Sequence, residues 1–280
     1  MKEEELQKWV KELWGDDPIP AELVPHLNRL TARKYVEWEL VETVHQWLAL
    51  QLICGEPCRI VAPARTGKTR LCELFALKHK PEKQPGRRDH VPVLYFQAPE
   101  DCSPGEFFIL LLEALIHNTI TSTKIVDLRR QAEDELEKSK VRMLIVDEAN
   151  FLKAKTFSEI RRLHDKLEIS IVLVGTDRLD AVIKRDEQVY DRFRTCYRFG
   201  ILTGDKFKDI VQTWEDEIVR LPVSSNLATS KTLLKLLQQK TGGKVGHLDR
   251  ILRKAAILAL RRSANKIDKK ILDEVLAYFN

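Results

Sequence analysis

Residues 61–72 read VAPARTGKTRLC. A short apolar run, CRIVA (58–62), leads into them, and an apolar-periodic run, RLCELFALKH (70–79), leads out. Gly67-Lys68-Thr69 alone is a weak signal, but between a strand and a helix it closes a phosphate-binding loop of the form G-x-x-x-x-G-K-[ST]. Backbone N–H groups of such a loop cradle phosphate oxygens at the helix N-terminus. Lys68 then reaches the terminal phosphates, and the Thr69 hydroxyl ligates Mg²⁺. The nucleotide-binding residues on this reading are Pro63, Ala64, Arg65, Thr66, Gly67, Lys68, Thr69 and Arg70. Ala62 stands where the first glycine belongs. That glycine supplies backbone freedom as the chain leaves the strand, not grip on phosphate. Alanine, the smallest replacement, suffices if its φ stays negative, and Pro63 helps fix the loop's shape.

A second segment, MLIVDEAN (143–150), sets four apolar residues before Asp147-Glu148. A strand buried on both faces would deliver Asp147 to Mg²⁺ at its carboxyl end, with Glu148 polarising the attacking water. A plain binder has no need of Glu148, so the expected reaction is Mg²⁺-dependent hydrolysis of ATP to ADP and phosphate. A third segment, IVLVGTD (171–177), places Thr176 at a strand end, where it can hold the water or the γ-phosphate. A turn-forming or helix-capping role for Thr176 or Asp177 fits the same residues. A fourth, RDEQVYDRFRTCYRFG (185–200), carries Arg192 and Arg194 around Phe193. An arginine offered from there to a neighbour's ATP stabilises transition-state charge, which requires oligomers. Surface salt bridges are the alternative for both.

Strands are expected at 58–62, 93–97, 143–146, 171–174 and 197–199, with helical patterns between them, including one over 34–49 with Val36, Leu40, Val41, Val44 and Leu48 on one stripe. Ser103-Pro104 with Glu106 predicts a capped helix start, and Thr156 with Glu159 a second capping box. Strands alternating with helices imply a parallel, three-layer α/β sheet. From about 204 only helices remain, near 205–219, 230–240, 246–262 and 268–279. A first helix is expected over about 3–14, set off by prolines at 18, 20 and 25.

Composition narrows the class. With 44% hydrophobic and 32% charged residues, the 280-residue chain can bury a core and is not a disordered type. No apolar run approaches the ~20 residues that span a bilayer, and the charged start MKEEELQKWVKELW lacks a secretory signal, so a cytoplasmic protein without membrane partners is expected. Cysteines 54, 58, 72, 102 and 196 form no C-x-x-C pair, which argues against zinc and disulfides. Net charge is +5 but uneven. Residues 1–23 hold three Lys and seven Asp/Glu, while 240–270 hold ten Lys/Arg and two Asp. The basic end suits either phosphates or a solvated helix face.

Phosphate loop, Asp-Glu strand, polar strand end, arginines before a fifth strand and a helical tail together resemble the AAA+ ATPases. Two stretches, LVGTDRLDAVIKRDEQVYDRFR (173–194) and LPVSSNL (221–227), are similar to TnsC, the short ATPase regulator of RNA-guided, CRISPR-associated transposons of cyanobacteria. The resemblance runs from about residue 30 to the end and is weakest over 80–135. It implies an AAA+ αβα domain (31–203) with the phosphate-loop strand central in the sheet, a helical lid (204–280) and an N-terminal extension (1–30). It also implies an ATP-binding homo-oligomer, a filament or ring on double-stranded DNA. Such an assembly links a TniQ-type adaptor, and through it the RNA-guided effector, to a TnsB-like DDE transposase. The interruption ITSTKIVD (120–127) lies where initiator-type relatives insert a DNA-facing element. Thr121, Ser122, Thr123 and Lys124 there suit sequence-independent phosphate contacts, or form a simple interhelical loop. Where many lids carry a nucleotide-sensing arginine, Gly246-His247-Leu248-Asp249 offers an acid, with Arg250 and Arg253 further on. Leu248 and Ile251, with Val36, are candidates for an apolar adenine pocket or for plain core. A non-hydrolysing ATP-bound scaffold and a helicase-loader or initiator relative are the competing functions.

Overall fold

A computed structural model describes residues 20–83, 85, 88–116, 120 and 124–279. The expected helix over 3–14 and the DNA-contact candidates Thr121, Ser122 and Thr123 lie outside the described residues. The chain divides into two compact units, Glu39–Gly200 and the combination of Met1–Trp38 with Ile201–Asn280.

The first unit is built on a five-stranded sheet: β1 (Cys58–Val61), β2 (Val93–Gln97), β3 (Met143–Asp147), β4 (Ser170–Gly175) and β5 (Cys196–Arg198). Every pairing is parallel, in the order β2-β3-β4-β1-β5. The expectation of a central phosphate-loop strand is corrected here. β4 is the middle strand, and β1 lies between β4 and the edge strand β5. β1, β3 and β4 are buried along their whole length, which is why they read as mostly apolar runs, broken in β1 by Arg59. Val61 pairs with Gly175 and Gln97 with Asp147, so the segments after these strands emerge at one edge.

Helices Glu39–Cys54, Lys68–Lys78, Pro104–Ile116, Ile125–Lys138, Ala154–Leu167, Asp177–Ile183 and Glu187–Arg192 accompany the sheet. Phe107, Phe108, Leu111 and Leu112 are fully buried in one core with Leu144, Val146, Ile171 and Leu173. Burial of each such side chain contributes ~1.5–3 kcal/mol.

The Ser103–Glu106 box forms as expected: the Glu106 carboxylate accepts from both the N–H and the hydroxyl of Ser103 at 2.8 Å. The Thr156–Glu159 box does not. The helix starts earlier, at Ala154, and Thr156 is buried, donating to the Cys102 carbonyl at 2.9 Å. Glu159 instead accepts from Arg129 at 2.6 and 2.7 Å. Tertiary partners thus outcompete the local motif. The helix expected over 34–49 is also displaced, to Glu39–Cys54. Val36 precedes it, half-buried against the core of the other unit.

The second unit is helical: Val24–Thr31, Gly204–Trp214 running on into a π-turn Glu215–Val219, Lys231–Thr241, Val245–Arg261 and Lys269–Ala277. Leu27, Leu30, Phe207, Ile210, Leu252 and Ala255 share one core, and Leu248 and Ile251 are 0% exposed within it. Ser230 and Asp268 cap two of the helices. The helix Val24–Thr31 therefore packs with the C-terminal helices in this division.

Candidate nucleotide site

β1 ends at Val61 and the loop follows. The Ala62 N–H donates to the Gly175 carbonyl at 3.2 Å, which ties the loop's start to the end of β4. Positive φ falls on Arg65 (67°) and Gly67 (99°), not on Ala62. The freedom a glycine would supply at position 62 is therefore not required. At Gly67 it is: a side chain there would meet no atom within 4 Å, yet the backbone is left-handed. The helix Lys68–Lys78 begins directly after Gly67 with no side-chain cap. Its first N–H groups lack intrahelical partners and form the positive end of the helix dipole. Ala64, Arg65 and Arg70 are exposed; Thr66 is buried and donates to the Pro63 carbonyl at 2.7 Å.

Lys68 is 6% exposed. Its Nζ donates to the carbonyls of Ala62 (2.9 Å) and Pro63 (3.0 Å). Burial pushes this ammonium below the ordinary lysine range, against the pull of the Glu148 and Asp147 carboxylates. Thr69 Oγ1 donates to Asp147 Oδ2 at 2.6 Å. Asp147, the last residue of β3, is fully buried. Its Oδ1 accepts the Glu148 N–H at 2.8 Å. Lys68, Thr69, Asp147 and Glu148 thus come together across two strand ends. Glu148 adopts a left-handed backbone (φ 52°, ψ 33°), an uncommon conformation for a non-glycine residue and one that concentrates at functional sites.

Three further residues had no separate signal in the sequence. Tyr95 on β2 donates its hydroxyl to the same Asp147 oxygen at 3.0 Å. Burial and the neighbouring Asp147 raise this phenol far above its ordinary value, so it stays a donor. Asn150 Oδ1 accepts the Thr176 N–H at 3.1 Å and so joins the ends of β3 and β4. A Cβ on Gly175 would lie 2.8 Å from that Oδ1 and 3.0 Å from Leu179 Cβ, so any larger residue there would displace the Asn150 side chain from this contact. Arg59 on β1 is buried and holds the chain around Arg194. Only the pairing of neighbouring strands reveals the first two.

Thr176 sits at the N-cap position of Asp177–Ile183, but its hydroxyl makes no cap bond. Arg192 pairs with Asp165 at 3.0 Å. Among the described residues the Arg194 side chain, 76% exposed, reaches only Asp191, at 3.9 Å. Lys124 is exposed at the start of Ile125–Lys138. In the helical unit, Leu248 and Ile251 are core residues and Val36 packs beside that core. Arg253 turns inward, to Asp249 (2.8 Å) and the carbonyls of Leu30 (2.7 Å) and Ala32 (3.1 Å). Among the described residues no His/Cys/Asp/Glu cluster holds a metal-site arrangement, and no helix is long and apolar enough to cross a membrane.

The loop, the Asp-Glu strand end and the parallel sheet define an AAA+ ATPase fold with a helical companion unit. The family model described as "Bacterial TniB protein" matches residues 35–199, more than half of the chain, and the chain belongs to that family. Solved structures agree on the fold. ORC1 of Aeropyrum pernix, in complex with DNA, is similar at TM-score 0.68 and 16% identity over 89% of this chain and 68% of that one. ORC2 of the same organism, in ADPNP–ADP complexes, gives 0.66 and 12% over 90% and 71%. The RuvB Holliday junction branch migration motor of Thermotoga maritima gives 0.56 and 13% over 89% and 72%. No curated protein matches the chain.

Proposed function

We propose that this TniB-family protein is an ATP-hydrolysing regulator of transposition that assembles on double-stranded DNA. The observation that carries the enzymatic part is the contact of Thr69 with Asp147 beside buried Lys68 and half-buried Glu148. A threonine hydroxyl and a carboxylate are the hard oxygen donors that Mg²⁺ prefers, so the residues fit that ion. When bound, Mg²⁺ neutralises charge on the β- and γ-phosphates. Lys68 places a second positive charge at the terminal phosphates. Glu148 accepts a proton from water as its oxygen bonds to the γ-phosphorus, and the bond to the β–γ bridging oxygen breaks. ADP and phosphate leave. Thr176 orients the water or the γ-phosphate.

The finer reading follows the TnsC resemblance. Copies assemble as a filament or ring, with Arg192 or Arg194 completing a neighbour's site. Thr121, Thr123 and Lys124 contact DNA phosphates without reading sequence. The assembly links a TniQ-type adaptor to a TnsB-like DDE transposase, and hydrolysis takes it apart.

Glu148→Gln tests this. The variant keeps nucleotide affinity, and its turnover falls by about a hundredfold or more. Negative-stain imaging with double-stranded DNA and ATP shows assemblies that persist for the variant and disperse for the wild type. Equal turnover in the two refutes the role of Glu148. A wild type that releases no phosphate with DNA present is a scaffold and not an ATPase.

A further inference from the structure

Arg59 is a charged residue in the interior of an otherwise apolar strand, three positions before Ala62. Its side chain is 7% exposed. Nε donates to Asp180 Oδ1 at 2.9 Å, and the guanidinium donates to the carbonyls of Phe193 and, at 3.2 Å, Arg194. Its carbon centre lies 5.4 Å from the Tyr190 ring centroid. The backbone adds to this, since the Arg59 N–H donates to the Thr195 carbonyl at 2.9 Å. Asp180 also accepts from Arg198 on β5, and Arg198 reaches Asp177 as well. Asp177 directly follows Thr176, whose N–H Asn150 holds. A buried guanidinium is costly unless its donors are matched, and here the planar fork is matched to the Asp180 carboxylate and to two carbonyls of one turn.

From this geometry we infer that Arg59 is a positioning residue. It fixes the turn 193–195 against the strand that carries the phosphate loop, so that Arg194 is presented to ATP held by a neighbouring copy. The inference rests on the proposed ATPase reading. It selects Arg194 over Arg192, whose guanidinium is engaged by Asp165. Lysine cannot replace Arg59, because a single ammonium does not span Asp180 and two carbonyls.

Complementation between copies tests the idea. Arg194→Ala copies keep Glu148 but donate no arginine, and Glu148→Gln copies donate an arginine but lack the base, so each alone turns over poorly. Mixed on DNA, the two restore turnover. Donors carrying both Arg59→Lys and Glu148→Gln restore about tenfold less, since a displaced group loses on the order of tenfold to a hundredfold. Their nucleotide affinity and thermal midpoint are measured alongside. A purely structural role lowers the midpoint without this loss in trans. Should Arg59→Lys fail to fold, Asp180→Asn in the same background, which keeps side-chain shape and loosens Nε, shows the same defect at smaller size. Full restoration by either folded donor overturns the inference. Wild-type turnover by Arg194→Ala copies alone overturns the trans-arginine reading beneath it, a separate and recognisable result.

Discussion

In the α/β unit, Lys68, Thr69, Asp147 and Glu148 converge from two strand ends: Thr69 bonds Asp147 side chain to side chain, and Lys68 holds two carbonyls of its own loop beside the Asp147 and Glu148 carboxylates. In the helical unit, Glu215, Arg29 and Arg253 mainly bond the backbone of segments distant in sequence. Glu215, 5% exposed, accepts from the N–H groups of Ser225, Asn226 and Leu227 and from the Ser224 hydroxyl. Arg29 donates to the carbonyls of Ile218, Val219 and Arg220, and Arg253 to those of Leu30 and Ala32. The same residue types therefore do different things. A charge satisfied by peptide groups pins a loop or a helix end. A lysine and two carboxylates gathered at the strand ends, beside uncapped helix N–H groups, suit a phosphate ligand with its metal ion.

The largest effect that would sharpen this contrast is at Lys68. Lys68→Ala removes the one buried cation of the loop. Turnover falls by about a thousandfold, as when a group stabilising transition-state charge is lost. Equilibrium nucleotide binding weakens with it, while the thermal midpoint changes little. A strong drop in midpoint at unchanged affinity would mean that Lys68, too, is a backbone staple. Glu215→Ala is the mirror experiment. It strands buried N–H groups of Ser225 and Leu227, at about 3 kcal/mol of stability, read by denaturant unfolding. Loss of stability without loss of nucleotide affinity is the expected pattern.

This division explains what could be read from the sequence. β3 and β4 announce themselves because a strand buried on both faces is mostly apolar and each is followed directly by a polar residue, and β1 by the phosphate-loop motif behind it. Ser103–Glu106 is legible because both partners of the capping box are local. Thr156–Glu159 misleads because Cys102 and Arg129, distant in sequence, offer better partners. The helix over 34–49 is misplaced because Val36 continues the apolar stripe yet packs into a different core. Tyr95 and Arg59 were silent because their roles come from register and from a turn that β1 alone does not specify. In the helical unit LPVSSNL carries a resemblance in the sequence and no local motif. Its physical meaning, a loop wrapped around the Glu215 carboxylate, needs the fold.

Arg253 offers a direct way to break the contrast. It lies in the helix whose start departs from the usual sensing-arginine pattern, and it faces Asp249 and the end of Val24–Thr31. Arg253→Ala leaves those carbonyls without their charged donor and costs about 2 kcal/mol of stability. Turnover well below the midpoint stays within about twofold, an effect too small to mark a transition-state contact. A tenfold loss of turnover at unchanged stability would make Arg253 a nucleotide sensor and give the helical unit a share in the chemistry.

The smallest effect is expected at Ala62, where the loop departs from its motif. Ala62 is 1% exposed and keeps a negative φ, and its N–H is bonded to Gly175. Ala62→Gly restores the motif on paper, but it deletes a buried methyl and frees the unfolded chain. Together these cost about 1 kcal/mol, read as a lower midpoint. Nucleotide affinity stays within about twofold, because the phosphate grip assigned to backbone N–H groups and Lys68 is untouched by the change. A tenfold gain in affinity would show that alanine strains the loop and that the departure tunes binding. An unchanged affinity would show that the first glycine of this motif answers a backbone requirement that this chain does not have.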